Sequence, residues 1–259
     1  MGGAGAAQRY DIRFCLSAAL KPLETGLINK IADSAAQALA HLKDGATVMI
    51  GGFGTAGIPD ALIDALIEQG ARDLTVVNNN AGNGEAGLAA LLKAKRVRKI
   101  ICSFPRQADS YVFDELYRSG QVELELTPQG NLSERIRAAG AGIGAFFTPT
   151  AYGTDLAKGK ETRIIDGKPY VLEYPIHGDL ALIKAEKGDR WGNLVYRKTA
   201  RNFGPSMAMA CKTTVASVHE VVPLGALDPE AIVTPAIFVT WVVPIARVAT
   251  QAGGFQKTA

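Results

Sequence analysis

A glycine-rich loop between an apolar segment and an amphipathic one gives the sequence its clearest potential for ligand chemistry. Thr47 to Ile50 is apolar and rich in β-branched residues, which predicts a buried strand, and Asp60 to Gln69 follows Pro59 with the spacing of a helix. Glycine lets a backbone approach a ligand closely, and N–H groups at a helix start favour negative charge. We therefore predict a ligand-binding loop that comprises Gly51, Gly52, Phe53, Gly54, Thr55, Ala56 and Gly57.

The spacing of Gly52, Gly54 and Gly57 also satisfies the dinucleotide motif G-x-G-x-x-G. A dinucleotide site requires an acidic residue after the second strand, where it holds the ribose hydroxyls. The second predicted strand, Leu74 to Val77, is instead followed by three asparagines. The missing acid disfavours a dinucleotide site, and a tight turn that binds no ligand stays open as an alternative.

Two of those asparagines, Asn79 and Asn80, are candidate substrate-binding residues. They follow a strand at the edge of the sheet where the glycine loop is expected, and neutral amides can orient a carboxylate without repelling it. Asparagine also bonds its own backbone in turns, so a structural role stays open for both.

The sequence contains no complete set of catalytic groups. The histidines His41, His177 and His219 lack metal-ligand spacing to one another or to cysteine, so no metal site is expected. Neither a G-x-S-x-G motif nor a cysteine–histidine signature is present. These motifs therefore assign no catalytic residue in this chain.

Composition limits the class of protein. The 259 residues are 47% hydrophobic with a formal charge of +3, carry no long basic tract and contain no apolar run of the ~18 residues that a membrane span needs. Neither nucleic acid nor membrane is an expected partner. Cys15, Cys102 and Cys211 are odd in number and widely spaced, which favours free thiols in a reducing, cytoplasmic compartment.

Strands alternate with helices through the first half of the chain, which is typical of parallel βαβ units. Later, Gly140 to Gly153 is expected to form a long loop, and Asp166-Gly167 predicts a hairpin. Asn131 and Glu134 have the spacing of a capping box at the start of a helix from Leu132 to Ala139. The predicted fold is α/β, an open, mostly parallel sheet with helices on both faces and a β-rich hairpin insertion. One domain is expected over 28–259, after a disordered extension over 1–27.

Several motifs, in the right order along the chain, resemble the alpha subunit of family I CoA-transferases. They cover about Ile28 to Phe238 and are G-G-F-G-T-A-G-I-P (Gly51–Pro59), N-N-A-G (Asn79–Gly82), T-P-Q-G-N-L-S-E-R-I-R-A-A-G (Thr127–Gly140), G-A-G-I-G-A-F-F-T-P-T (Gly140–Thr150), G-D-R-W-G-N-L-V-Y-R-K (Gly188–Lys198) and A-R-N-F (Ala200–Phe203). Within the family, Ser103 to Gly120 is more similar to the 3-oxoadipate branch than to the acetoacetate branch.

The resemblance implies transfer of CoA from succinyl-CoA to a 3-oxoacid, with CoA as co-substrate and no permanently bound cofactor. In the family the nucleophile is a glutamate in an S-E-N-G motif on a separate beta subunit. This chain has Ser133-Glu134-Arg135 instead, so its catalytic glutamate is expected on a partner chain in an A2B2 hetero-oligomer. Acetoacetate as acceptor, and a non-catalytic ligand-binding module, are the alternatives.

Three further residues take their expected roles from the resemblance. Gln129 matches a family position near the reacting glutamate, where a neutral amide does not trap the acyl intermediate as a lysine would. Arg106 is the candidate for binding the second carboxylate of a dicarboxylic substrate, because a guanidinium binds carboxylate bidentately; a solvated loop arginine is the alternative. Ala151 stands where the family usually has glycine, which predicts about 1 kcal/mol of strain if the position needs positive φ.

Overall fold

The computed structural model describes residues 28 to 247. The predicted disordered extension, 1–27, and the last residues of the predicted domain, 248–259, lie outside the described residues. The strands are β1 (Thr47–Ile50), β2 (Leu74–Val77), β3 (Val97–Cys102), β4 (Glu123–Leu126), β5 (Phe146–Thr148), β6 (Thr162–Ile165), β7 (Lys168–Glu173), β8 (Gly178–Asp189), β9 (Leu194–Val195), β10 (Cys211–Val222) and β11 (Trp241–Pro244). The helices are α1 (Ala35–Leu39), α2 (Asp60–Gln69), α3 (Leu88–Lys93), α4 (Tyr111–Arg118), α5 (Gln129–Gly140) and α6 (Gly204–Ala210), with short 3-10 helices at Asp155–Ala157, Lys198–Arg201, Pro229–Ala231 and Ala236–Phe238.

The main sheet has the strand order β11-β10-β8-β1-β2-β3-β4, and every neighbouring pair in that order is parallel. The short strand β9 pairs antiparallel with the carboxyl-terminal end of β8. A separate antiparallel sheet has the order β5-β7-β6. The mostly parallel sheet and the hairpin insertion are both confirmed.

Helices cover both faces of the main sheet because alternate residues of the central strands are apolar on each side. Val48 and Ile50 of β1 pack with Leu62 and Leu66 of α2 in one buried cluster, to which α1, α3 and α4 also contribute. On the opposite face, Met49 packs in a second cluster with residues of α5 and α6. Because the central strands are buried on both faces, their sequences are continuous runs of apolar residues.

Local sequence signals predicted some element bounds well. Strands β1 and β2 and helix α2 have their predicted bounds, with Pro59 immediately before the helix. The hairpin is confirmed, since Asp166 and Gly167 join β6 to β7 with φ angles of 49° and 74°. The predicted loop from Gly140 to Gly153 is partly wrong, because β5 lies within it and pairs with β7. That pairing is a long-range contact and leaves no local signal.

The predicted capping box at Asn131 and Glu134 is wrong. Helix α5 begins at Gln129 after Pro128, so Asn131 lies in its first turn, where the side chain is buried and donates to Glu173 Oε1 at 3.0 Å. The same buried carboxylate accepts from Lys160 Nζ at 2.7 Å. Glu134 faces outward and pairs with Arg137 at 2.8 Å. A buried carboxylate needs such partners, so Asn131 connects α5 to the small sheet rather than capping the helix.

The residue at 151 does require positive φ, as the departure from the family pattern suggested. Ala151 has a φ of 75°, in the left-handed region where a Cβ is disfavoured.

We expect Ala151→Gly to raise the free energy of unfolding by about 1 kcal/mol, because the backbone strain is released. Urea unfolding of the purified protein measures this. Ala141→Gly is the matched control: Ala141 caps the carboxyl end of α5 with a φ of −90°, so the same change should lower stability by about 0.5 kcal/mol. Destabilisation by both substitutions would show that Ala151 carries no relievable strain.

Candidate active site

The candidate site is built from loops at the carboxyl edge of the main sheet. Because β1, β2, β3 and β4 are parallel, their carboxyl ends lie at the same edge. The residues that follow these four strands are Gly51, Asn78, Ser103 and Thr127. Ligands of open α/β sheets bind at this edge.

Three polar side chains from three of these loops meet through hydrogen bonds. Asn79 Oδ1 accepts from Gln129 Nε2 at 2.8 Å and from Ser103 Oγ at 2.8 Å. Asn79 is almost fully buried, whereas Gln129 is exposed. The two donors fix the orientation of the Asn79 amide, and its Nδ2 has no hydrogen-bond partner among the described residues. We call Asn79, Ser103 and Gln129 the amide cluster.

The neighbouring asparagines play a different part. Asn78 Nδ2 donates to the Ile50 carbonyl oxygen at 2.6 Å, which ties the end of β2 to the end of β1. Asn80 Oδ1 accepts from Gly82 N at 3.0 Å, the turn bonding that the sequence left open for this residue. Its Nδ2 is buried and has no partner among residues 28–247. Asn80 thus holds the turn, and its role toward substrate stays a prediction.

Four of the seven N–H groups of the glycine loop, residues 51–57, are already hydrogen-bonded within the described fold. Gly51 N donates to Leu182 O on β8, and the Phe53 and Ala56 backbones bond each other. Gly54, Thr55 and Gly57 have N–H groups without a partner in the described part of the chain. The predicted cradle of amides is therefore narrower than the seven-residue loop and comprises these three donors.

Close packing explains two glycines of the loop. A Cβ at Gly52, where φ is 131°, would collide with the Ile58 side chain, and one at Gly57, where φ is 75°, would collide with the Ala200 carbonyl oxygen. Both positions therefore require glycine whether or not a ligand binds.

A residue that the sequence analysis missed, Asn202, holds the glycine loop in place. Its Oδ1 accepts from Gly52 N at 3.0 Å, and its Nδ2 donates to Ala56 O at 3.0 Å. Its own backbone has a φ of 24°, which is strained for a residue other than glycine. Asn202 lies 150 residues from Gly52, so nothing local in the sequence indicates the contact.

The Arg106 side chain forms no hydrogen bond with the amide cluster. It is exposed on the loop after β3, and its Nε donates to Asp114 Oδ1 of α4 at 2.6 Å. The pair is open to solvent, so the guanidinium can exchange Asp114 for another carboxylate at small cost. Substrate binding by Arg106 stays a prediction.

Neither the described cysteines nor Asp60 supplies an obvious nucleophile, and Cys211 lies at the opposite edge of the sheet, where β10 begins. Burial raises the pKa of the Cys102 thiol to about 12, and burial beside Asp179 also raises the pKa of Cys211, so both are protonated at neutral pH. Burial raises the pKa of Asp60 at the start of α2, although Lys184 opposes the shift. The amide cluster is neutral. It can orient a carboxylate or an acyl oxygen, but it cannot form an acyl intermediate itself.

Neither a metal site nor a membrane-spanning helix occurs within residues 28–247. No group of three or more histidine, cysteine, aspartate or glutamate side chains in this part of the chain is arranged to hold a metal ion. Among its helices, none combines the length and apolar character needed to cross a bilayer.

Comparison with known proteins agrees with this architecture. The family model described as Coenzyme A transferase matches residues 32–244. The chain is 68% identical over 225 residues to the A subunit of 3-oxoadipate CoA-transferase from Pseudomonas putida, a match that covers 87% of this chain and 97% of that protein. It is 50% identical over 212 residues to the A subunit of succinyl-CoA:3-ketoacid coenzyme A transferase from Helicobacter pylori, which covers 82% of this chain and 90% of that one.

Among solved structures, glutaconate coenzyme A-transferase from Acidaminococcus fermentans has the same fold. The TM-score is 0.72 at 20% identity, and the match covers 84% of this chain and 76% of that one. The family match spans nearly all of the described residues and includes the glycine loop, the amide cluster and Asn202. The chain belongs to the coenzyme A transferase family.

Proposed function

We propose that the chain is the A subunit of a CoA-transferase that moves CoA from succinyl-CoA to 3-oxoadipate. The observation that carries the proposal is the 68% identity to the Pseudomonas putida 3-oxoadipate CoA-transferase chain over nearly its whole length. Identity to the Helicobacter pylori 3-ketoacid enzyme is 50%. The difference favours 3-oxoadipate as acceptor and leaves acetoacetate as the second candidate.

The proposed chemistry needs a carboxylate nucleophile from a partner chain. A glutamate carboxylate attacks the acyl carbon of succinyl-CoA, and departure of the CoA thiolate leaves a mixed anhydride of glutamate and succinate. The thiolate then attacks the glutamyl carbonyl, which releases succinate and leaves a glutamyl-CoA thioester. The carboxylate of the acceptor repeats these steps in reverse and leaves with CoA. The overall reaction exchanges one CoA thioester and one carboxylate for another thioester and another carboxylate, so the overall energy change is small.

The residues of this chain support that reaction by binding and orientation. Asn79 Nδ2 is placed to donate to a substrate carboxylate or to the acyl oxygen, because its Oδ1 is already held by Ser103 and Gln129. Preorganised neutral donors stabilise charge that develops on an acyl oxygen. Gln129 has the same role from the start of α5, and an amide at this position does not react with the anhydride or thioester. Arg106 is assigned the distal carboxylate of 3-oxoadipate.

The assembly follows from the missing nucleophile. The relatives are named as A subunits, which implies a B subunit for them. We assign the catalytic glutamate to such a partner and an A2B2 stoichiometry to the complex, with CoA as co-substrate and no permanent cofactor. Cys102 and Cys211 are free thiols, which supports a reducing compartment, and we place the reaction in the cytoplasm.

A transfer assay tests the function directly. The chain alone, its co-encoded neighbour alone and the mixture are each supplied with succinyl-CoA and either 3-oxoadipate or acetoacetate. We expect transfer only in the mixture and a higher kcat/KM for 3-oxoadipate. A higher kcat/KM for acetoacetate would select the second candidate, and no transfer in any combination would contradict the proposed function.

A further inference from the structure

A buried carboxylate contacts the helix that carries Gln129. Glu173 ends β7 and is only 2% exposed. Its Oε1 accepts from Asn131 Nδ2 at 3.0 Å and from Lys160 Nζ at 2.7 Å, and its Oε2 lies 3.8 Å from Arg135 Nε. Two of these three partners, Asn131 and Arg135, belong to α5. The carboxylate therefore joins the small antiparallel sheet to the helix whose first residue is part of the amide cluster.

The first turn of α5 is held from two opposite sides. Gln129 and Asn131 are two residues apart, and at about 3.6 residues per turn their side chains point about 200° apart around the helix. Gln129 Nε2 donates to Asn79 in the amide cluster, whereas Asn131 Nδ2 donates to Glu173. A rotation of the turn at one side must therefore move the donor at the other.

The Gln129 side chain has little else to fix it. It is exposed, and its one side-chain hydrogen bond within residues 28–247 is the bond to Asn79. Pro128, immediately before the helix, carries no capping side chain. Leu132 anchors the turn in the apolar core, but an apolar contact is non-directional and does not set the rotation of the helix. The buried hydrogen bond of Asn131 is the directional contact on the other side of the turn.

Packing alone does not hold the small sheet against α5. A pocket of about 240 Å³ lies at this junction and is lined by residues of β4, α5, β7 and the segment before β6. A buried ion pair adds little stability, because desolvation of the charges offsets their attraction. A fully satisfied buried polar network gives a fixed geometry instead. Glu173 is therefore better explained by the position that it enforces than by the stability that it adds.

We propose that Glu173 is a positioning residue for CoA transfer, which acts through Asn131 to fix the start of α5 and with it the direction of the Gln129 amide. The inference rests on the proposed function, which assigns the Gln129 amide to the reacting acyl group. It gives the small sheet a part in the reaction, although no described residue of that sheet is hydrogen-bonded to the amide cluster.

The test is a double-mutant cycle in the complex with the partner chain. Glu173→Gln removes the charge and keeps the shape, whereas Asn131→Ala cuts the contact with α5 and leaves Glu173 paired with Lys160. Each change is combined with Gln129→Ala, which truncates an exposed side chain. Glu161→Gln is the matched control, since it makes the same change in an exposed ion pair beside β6 of the same sheet. We measure kcat and KM for succinyl-CoA and 3-oxoadipate, and circular dichroism checks that each complex is folded.

We expect Glu173→Gln and Asn131→Ala each to lower kcat by about tenfold with little change in either KM, because a small displacement of a group that acts in the transition state slows the reaction more than it weakens binding. When Gln129→Ala is already present, neither change should lower kcat further. Glu161→Gln should match the unaltered complex.

Losses in kcat that multiply with the loss from Gln129→Ala would overturn the proposal, since Glu173 would then act independently of Gln129. An unchanged kcat in both single variants, or in Gln129→Ala itself, would also overturn it. Loss of the folded complex in both single variants would assign Glu173 to stability alone and would overturn it as well. In each of these cases, transfer by the unaltered complex would leave the proposed function standing.

Discussion

Replacing Asn79 by aspartate is expected to lower kcat/KM for CoA transfer by about 100-fold or more, with little change in the melting temperature. The size follows from the loss of one preorganised donor at an acyl oxygen, which costs about 10²–10³ in rate in other acyl-transfer sites. The new carboxylate would also repel the substrate carboxylate. Activity is measured in the complex with the partner chain, and the melting temperature by calorimetry.

The aspartate substitution separates catalysis from folding. The two hydrogen bonds that Asn79 Oδ1 accepts from Ser103 and Gln129 can still form to a carboxylate oxygen, so the cluster stays satisfied. Asn79→Ala, by contrast, leaves both donors without their acceptor and should lose stability by about 1–3 kcal/mol as well as activity.

Asn83 offers a matched control for this substitution. It is exposed, lies four residues away, and its Oδ1 accepts from Asp109 N at 2.8 Å, a bond that aspartate also supports. Asn83→Asp should retain transfer within a factor of about two, as surface substitutions generally have small effects. If Asn79→Asp were as active as Asn83→Asp, Asn79 Nδ2 would not contact the reacting groups.

The parts of the fold that the sequence predicted are those coded over short distances. The apolar run of β1, the glycines after it and Pro59 before α2 are adjacent in the chain, and each restricts the backbone on its own. Asp166-Gly167 likewise fixes a hairpin turn in two residues. The position of Asn79 beside the glycine loop followed from one further inference, that parallel strands end at the same edge of a sheet, whereas its hydrogen bond with Gln129 was not predicted.

What could not be predicted depends on contacts between distant segments. Asn131 has the residue type and spacing of a helix cap, but its buried contact with Glu173, 42 residues later, has replaced that role. Asn202 supports the glycine loop from 150 residues away. Ser103 could have been predicted as a site residue, because it also follows a strand at the site edge. A single serine is too common in loops, however, to indicate a site by itself.

The central claim is that the nucleophile lies on the partner chain. If so, the acyl intermediate should form entirely on the partner and not at all on this chain. The amide cluster holds no carboxylate, and both described cysteines are protonated at neutral pH. Glu134 is the residue that most invites an exception. It does not form the predicted capping box with Asn131. It is exposed, paired with Arg137 on α5, and lacks the desolvated setting of a reactive carboxylate.

Intact-mass spectrometry of the two separated chains, after brief exposure of the complex to succinyl-CoA without acceptor, tests this claim most directly. The glutamyl-CoA thioester adds the mass of CoA, less one water, to the chain that carries the nucleophile, and addition of 3-oxoadipate should discharge it. We predict this adduct on the partner chain, with an unmodified mass for the chain described above. An adduct on the latter would contradict the account, and loss of that adduct in Glu134→Gln would identify the nucleophile as Glu134.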